Sequence, residues 1–278
     1  MKRVILSILI TLMFWPFASF ADSDPEAAKI MTLAKDQFTT SGELALGKLA
    51  VFLKNPESTS AEGEWKLHHN ADFTWAKRWS DGKEEVRIDF ATAINSGADS
   101  GSLYSDQRYL IQRNEQITQH IYLPSLRRVR IVSGHIADPL INSDYLVYDL
   151  TTIKDFEDYE YHFVDSNVEK PVIRGEKRGE ITPYQSVIFI LEKKAETYLV
   201  NEMTVLSGDQ EVKHLYFSQF NQVGPARYRP DKIEILREGG KTEISLTHWS
   251  VRPVNAEFFS STHLETHKLP SPLEASAR

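Results

Sequence analysis

No cysteine occurs anywhere in the 278 residues. That rules out disulfide staples and a thiol nucleophile, and it leaves no cysteine near the head of the chain to take a lipid anchor. An excess of positive charge is missing as well. Lys and Arg number 32 against 39 Asp and Glu, a formal net charge of −7, which argues against general nucleic-acid binding. After residue 21 no apolar run approaches bilayer-spanning length, because charged or polar residues interrupt each one, as around Val187 to Leu191. There is no Gly-x-Ser-x-Gly elbow and no phosphate-binding glycine loop. His263 and His267 stand four apart, but Glu265 lies midway between them, whereas zinc-protease motifs need the acid next to a histidine; the match is read as coincidence. His68, His69, His120, His135, His162 and His214 have no ligand spacing. Carboxylates are plentiful, yet nothing marks a glycosidase pair. The expectation is a non-enzyme with no cofactor and no metal.

What is present begins at the head. Met1-Lys2-Arg3 is a charged start, Val4 to Phe20 is apolar, and Ser19 and Ala21 are small residues at the right places for a cut after Ala21. This is the pattern of a secretion signal. An uncleaved anchor is the alternative, but Pro16 interrupts the apolar stretch. Cleavage removes Lys2 and Arg3 and takes the net charge from −7 to −9. The sequence therefore predicts a periplasmic protein, not integral to a membrane. It consists of a signal peptide at 1–21, one domain over 22–264, and a disordered tail over 265–278.

Ser23-Asp24-Pro25-Glu26 is a helix start, with Ala28, Met31, Leu33, Ala34 and Phe38 as its expected apolar face. From about residue 43 the period shortens. Runs at 64–67, 73–79, 85–90, 108–113, 116–123, 159–164, 186–192, 198–206, 210–220, 233–237 and 242–251 read as strands. Ser80-Asp81-Gly82-Lys83, Asn114-Glu115, Ser207-Gly208-Asp209 and Glu238-Gly239-Gly240-Lys241 read as turns between them. Strands do not alternate with long helices, so a parallel sheet is excluded and an antiparallel meander is expected.

The most distinctive stretch is Tyr122-Leu123-Pro124-Ser125-Leu126-Arg127-Arg128-Val129-Arg130-Ile131-Val132-Ser133-Gly134, followed by Ser143-Asp144-Tyr145-Leu146-Val147-Tyr148-Asp149-Leu150. In order and spacing the two runs resemble the signature of the LolA-like outer-membrane lipoprotein-sorting family. Two departures stand out: Asn142 occupies a position where the family usually has glycine, and Ile131 interrupts the arginine cluster. The resemblance implies a mainly β (α+β) fold, in which a strongly curved antiparallel sheet forms an incomplete barrel with covering helices. It also implies a monomeric chaperone that holds lipid or lipoprotein acyl chains in a concave face. Its expected partner is an inner-membrane RND-type exporter, in lipid transport toward the outer membrane. An RseB-like stress sensor or regulatory binding module is the alternative.

Acyl shielding needs apolar surface, and Trp65, Phe73, Trp75, Trp79 and Phe90 lie on consecutive predicted strands. Phe73, Trp75 and Trp79 share one parity, so an unbroken strand turns them to one side. They are either cavity lining or ordinary core, since large aromatics are usually buried whatever the function. Arg127, Arg128 and Arg130 are either a docking patch for anionic headgroups or an acidic partner, or an internal ion-pair set with Asp144 and Asp149. Internal pairing is the preferred reading, because structural ion pairs concentrate charge in this way.

Overall fold

The computed structural model describes residues 23–36, 42–55, 65–91, 105–133, 139–140, 143–146, 149, 156, 159–178, 183–225 and 227–275. The apolar leader, Phe38, Gly134, Tyr148 and Leu150 lie outside them.

Helix α1 (Pro25–Asp36) opens the described chain. Asp24 caps it, its Oδ1 accepting from Glu26 N at 3.0 Å and Ala27 N at 3.3 Å, and Pro25 fits the first turn, where no N–H is needed. Ala27, Ile30, Met31 and Ala34 are buried, the spacing of one helical face. Of the face expected from the sequence, Ala28 and Leu33 only flank this stripe.

Thirteen strands follow: β1 (Glu43–Lys54), β2 (Trp65–Ser80), β3 (Lys83–Phe90), β4 (Arg108–Arg113), β5 (Ile117–Leu123), β6 (Arg128–Ser133), β7 (Tyr159–Asp165), β8 (Val172–Lys177), β9 (Ser186–Lys194), β10 (Thr197–Ser207), β11 (Gln210–Gly224), β12 (Arg227–Arg237) and β13 (Gly240–Val251). They form one curved antiparallel sheet in the order β6-β5-β4-β3-β2-β1-β13-β12-β11-β10-β9-β8-β7, not closed into a barrel. The chain starts in the middle, meanders out to β6, crosses to the far edge at β7 and meanders back to pair with β1. The four turns named from the sequence fall between strands, and the structure adds others that the sequence reading did not name, among them Ala195-Glu196 between β9 and β10. At Asp81-Gly82 both residues have positive φ, 53° and 71°, the geometry that matches a two-residue loop to the strand twist.

The inner face carries the main core. One cross-strand row runs Ala71, Leu49, Ile244, Ile233 and Phe217 across β2, β1, β13, β12 and β11. Full burial of each large aliphatic side chain is worth about 1.5–3 kcal/mol. Helix α1 packs on this face against β7 and β10. Its start is pinned to β7 by Asp24 N donating to Tyr161 O at 2.7 Å and Tyr161 N to Ser23 Oγ at 3.0 Å.

A second, smaller core lies on the outer face: Leu44, Ala76, Leu110, Phe259, Leu264 and Leu269. Its cover is a 3-10 turn (Ala256–Phe259), α2 (Ser261–Thr266) and a final turn, α3 (Pro272–Ala275). The expected disordered tail from 265 is corrected here. Residues 265–275 follow the outer face, with Leu269 buried and its N–H bonded to Asp89 Oδ2 at 2.6 Å. The sequence hid this because the segment docks through single apolar anchors and backbone groups, which have no period.

Candidate functional site

The inner face holds a cavity of about 80 Å³ between β1–β3 and β11–β13. Its position follows from a second cross-strand row, Phe90, Phe73, Gly47 and Leu246. Gly47 contributes no side chain, and the Phe73 ring leans into its place; a Cβ built on Gly47 would lie 2.2 Å from Phe73 Cζ. Phe90 meets Phe73 and Tyr109 edge-on, with ring centres 5.9 and 5.8 Å apart. Trp75, Ile88, Met203, Leu215, Phe217 and Trp249 complete the apolar wall.

Four charged residues also line the cavity: Glu43, Lys77, Asp149 and Arg229. Each is paired. Arg229 Nε donates to Glu43 Oε1 at 2.7 Å, and Lys77 Nζ lies 2.6 Å from Glu84 Oε1. Asp149 accepts from Tyr184 OH at 2.7 Å and is bridged by Lys213. Ionised groups at such depth require partners of this kind. The wall is thus apolar with its charges neutralised in place, a surface suited to hydrocarbon.

The roof comes from the crossover between β6 and β7. Leu140, Tyr145 and Asp149 all face the cavity. Tyr145 OH donates to Asp149 O at 3.0 Å, and Leu146 N donates to Asp149 Oδ2 at 2.8 Å. Asp144 fixes the roof to the returning half of the sheet: it is bonded by Arg237, and its Oδ2 accepts from Thr242 Oγ1 at 3.0 Å. Gly240 is required there, because a Cβ would sit 2.8 Å from Asp144 Oδ1.

Of the aromatics named from the sequence, Phe73, Trp75 and Phe90 line the cavity, whereas Trp65 and Trp79 do not. Trp65 opens β2 at its far end, opposite Lys54, and Trp79 lies near the β2–β3 turn, opposite Glu84. The two motif runs part company. The second supplies the roof through Asp144, Tyr145 and Asp149. The first forms the β5–β6 hairpin, with Tyr122 in the outer core beneath Arg108, Leu123 and Pro124 entering the turn, and Ser133 pairing with Thr118.

The preferred pairing of Arg127, Arg128 and Arg130 with Asp144 and Asp149 is corrected. All three arginines are exposed, and the two acids bind Arg237 and Lys213 instead. Proximity in sequence misled, since β6 is an outer edge while Asp144 and Asp149 are bound by residues of the other half of the sheet. Lys213, Arg229 and Arg237, and the whole β11–β13 wall, carried no motif that could have revealed them.

His263 and His267 stack on each other, ring centres 4.5 Å apart, with His263 Nδ1 against Arg87 Nη1 at 3.0 Å. Among the described residues no group of three His, Cys, Asp or Glu side chains could hold a metal ion. No described helix is long and apolar enough to cross a membrane.

A family model described only as "uncharacterized protein" matches residues 99–266. No curated protein sequence matches the chain. Solved structures do. An outer membrane lipoprotein-sorting protein domain from Vibrio parahaemolyticus is 16% identical with a TM-score of 0.68, over 86% of this chain and 99% of that one. A DUF1329 family protein from Desulfovibrio piger is 18% identical with a TM-score of 0.70, over 88% and 100%. A LolA superfamily protein from Nitrosomonas europaea is 13% identical with a TM-score of 0.59, over 85% and 98%. At these identities the likeness is one of fold.

Proposed function

This chain belongs to the uncharacterized-protein family whose model spans 99–266 and has the LolA-superfamily fold, and on that premise we propose that it is a periplasmic lipid or lipoprotein carrier. The leader at 1–21 directs export. The inner-face cavity takes acyl chain, and the cargo passes between an inner-membrane RND-type exporter and the outer membrane. No catalysis and no cofactor are needed for that task.

One observation carries the reading: an apolar cavity whose lining charges are each paired and whose roof is tied down at Asp144 and Asp149. Each methylene transferred from water into such a wall gains about 0.8 kcal/mol. At about 80 Å³ the closed cavity is small beside the roughly 300–1,000 Å³ of ordinary ligand sites. Loading a full acyl chain therefore requires the roof to lift, which breaks the Asp144–Arg237 and Asp149–Lys213 contacts.

Native mass spectrometry of protein purified gently from the cell envelope is the test. Lipid-loaded species are expected, together with saturable binding of a fluorescent fatty-acyl probe to stripped protein. Protein that is uniformly lipid-free and also fails to bind the probe would overturn the reading.

A further inference from the structure

The carrier reading leaves an exposed run of arginines unused. Between Glu115 and Asp138 the chain has no acidic residue, although Asp and Glu outnumber Lys and Arg 39 to 32 overall. That run contains β5, its turn and the edge strand β6. Arg127, Arg128 and Arg130 are exposed there, and no described carboxylate pairs with them. Asp106, at the same end of the sheet, is held by Lys268. Glu265 lies on α2, which packs on the outer face.

The backbone aims this charge. Leu126 N donates to Leu123 O at 3.0 Å and Arg127 N to Pro124 O at 3.2 Å, and Arg127 has a φ of 49°. The turn therefore holds Leu126 and Arg127 at the tip. Along β6, Val129 packs into the outer core with Tyr122, so Arg128 and Arg130 project from the opposite face of the edge strand. Leu126 is 44% exposed and Ile131 is 67% exposed. Leu126 thus stands at the tip beside Arg127, while Ile131, in step with Val129, stands on the other face of the same edge from Arg128 and Arg130, on a protein that is acidic overall.

We propose that the β5–β6 turn and the β6 edge dock the protein on an anionic phospholipid surface. The guanidiniums bind headgroup phosphates, and Leu126 and Ile131 enter the interface. An acidic protein partner would pair with the arginines but gives no role to the exposed apolar side chains at the tip, Leu126, and on the other face of the edge, Ile131. Phosphate recognition by arginine and shallow apolar insertion together suit a bilayer. The inference does not depend on what fills the cavity.

The exported protein is mixed with vesicles of equal parts phosphatidylglycerol and phosphatidylethanolamine, or of phosphatidylcholine alone, and sedimented at about 0.1 M salt. Binding to the anionic vesicles alone is expected, falling steeply as salt rises. Each arginine near the surface contributes about fivefold, so Arg127→Gln, Arg128→Gln and Arg130→Gln together weaken it roughly a hundredfold. Leu126→Ser with Ile131→Ser weakens it at every salt concentration. Because these side chains are exposed, the thermal midpoint and acyl-probe binding stay unchanged, which separates this result from any failure of the carrier reading. Equal sedimentation with both vesicle types, or a triple variant that binds like the parent, overturns the proposal. So does a photocrosslinker at position 127 that captures an acidic protein while vesicle binding is absent.

Discussion

The two faces of the sheet use buried charge in opposite ways. On the outer face, arginines hold backbone. Arg87 donates to Phe258 O at 2.9 Å and to His267 O at 2.5 Å, while Arg108 Nη1 reaches Leu264 O at 2.8 Å. Asp89 completes the set by gripping the Arg87 guanidinium at 2.8 and 2.9 Å. On the inner face, cations bind carboxylates on side chains, and these pairs rim an apolar space. Backbone-directed arginines weld the C-terminal cap to the sheet. Side-chain pairs can part and re-form without unfolding a helix, which is what the proposed loading of the inner face requires.

The largest effect expected from this contrast is that of Arg87→Ala. The guanidinium is fully buried, and its loss takes two bonds from Asp89, strips Phe258 O of its arginine donor and leaves His267 O to Arg108. Breaking one side of such a network costs about 3–5 kcal/mol. For a domain of this size that lowers the thermal midpoint by roughly 6–20 °C. Acyl-probe affinity, measured below the melt, should stay within about twofold of the parent's, since additivity holds for sites without shared partners. A parallel loss of probe binding would break the distinction between the faces.

A smaller and opposite pattern is expected from Gly47→Ala. The new Cβ collides with the Phe73 ring, and the ring must swing into the cavity it lines. Overpacking of this kind costs about 1–3 kcal/mol. Probe affinity, by contrast, should drop about tenfold, because the space itself is lost. Adding Phe73→Leu shortens the offending side chain and should recover most of the binding. A double variant no better than Gly47→Ala would mean that Phe73 does not gate the space.

The sequence disclosed more of the outward meander than of the site. Alternation marked β3 to β5, β7 and most of β9 to β13, and it marked β2 as two runs, 64–67 and 73–79, that the structure joins into one strand; turn residues placed four of the hairpins. It missed β1, where Glu43, Leu44 and Ala45 are all buried and where the less buried face also carries apolar residues at Leu46, Ala50 and Phe52, so the sequence lacks clean alternation. It also missed β6 and β8, one an exposed edge and the other interrupted by Gly175. Parity put Phe73, Trp75 and Trp79 on one face and left lining or ordinary core open for them and for Phe90; Phe73, Trp75 and Phe90 are the ones that border the cavity. Trp79 shares that parity but lies one turn too near the hairpin end. Leu215, Arg229, Ile233 and Trp249 were out of reach, because they meet the aromatics only through the pairing of β1 with β13. That contact joins residues about two hundred positions apart, and no local pattern encodes it.

The smallest effect expected is that of pH, and it should belong to the outer face. His263 has its pKa lowered below the ordinary 6.5 by burial first, then by Arg87 and His267, with Glu257 and Asp89 opposing. An imidazole that resists protonation when folded takes its proton more readily when unfolded. Its contribution to stability is therefore complete above about pH 6.5 and is lost as the pH falls below that value. His120 adds a slope of the same sign, lowered by burial and by Lys83. Between about pH 7.5 and 5.5 the thermal midpoint of the parent should fall, and His263→Gln should fall less while keeping the His120 share. Arg87 holds the cap through the same contact that disfavours His263⁺, so protonation loosens the weld and leaves the cavity rim intact. Acyl-probe affinity should then show no His263-dependent change over this range. A His263→Gln variant whose probe binding loses its pH response would place the histidine on the wrong side of the comparison.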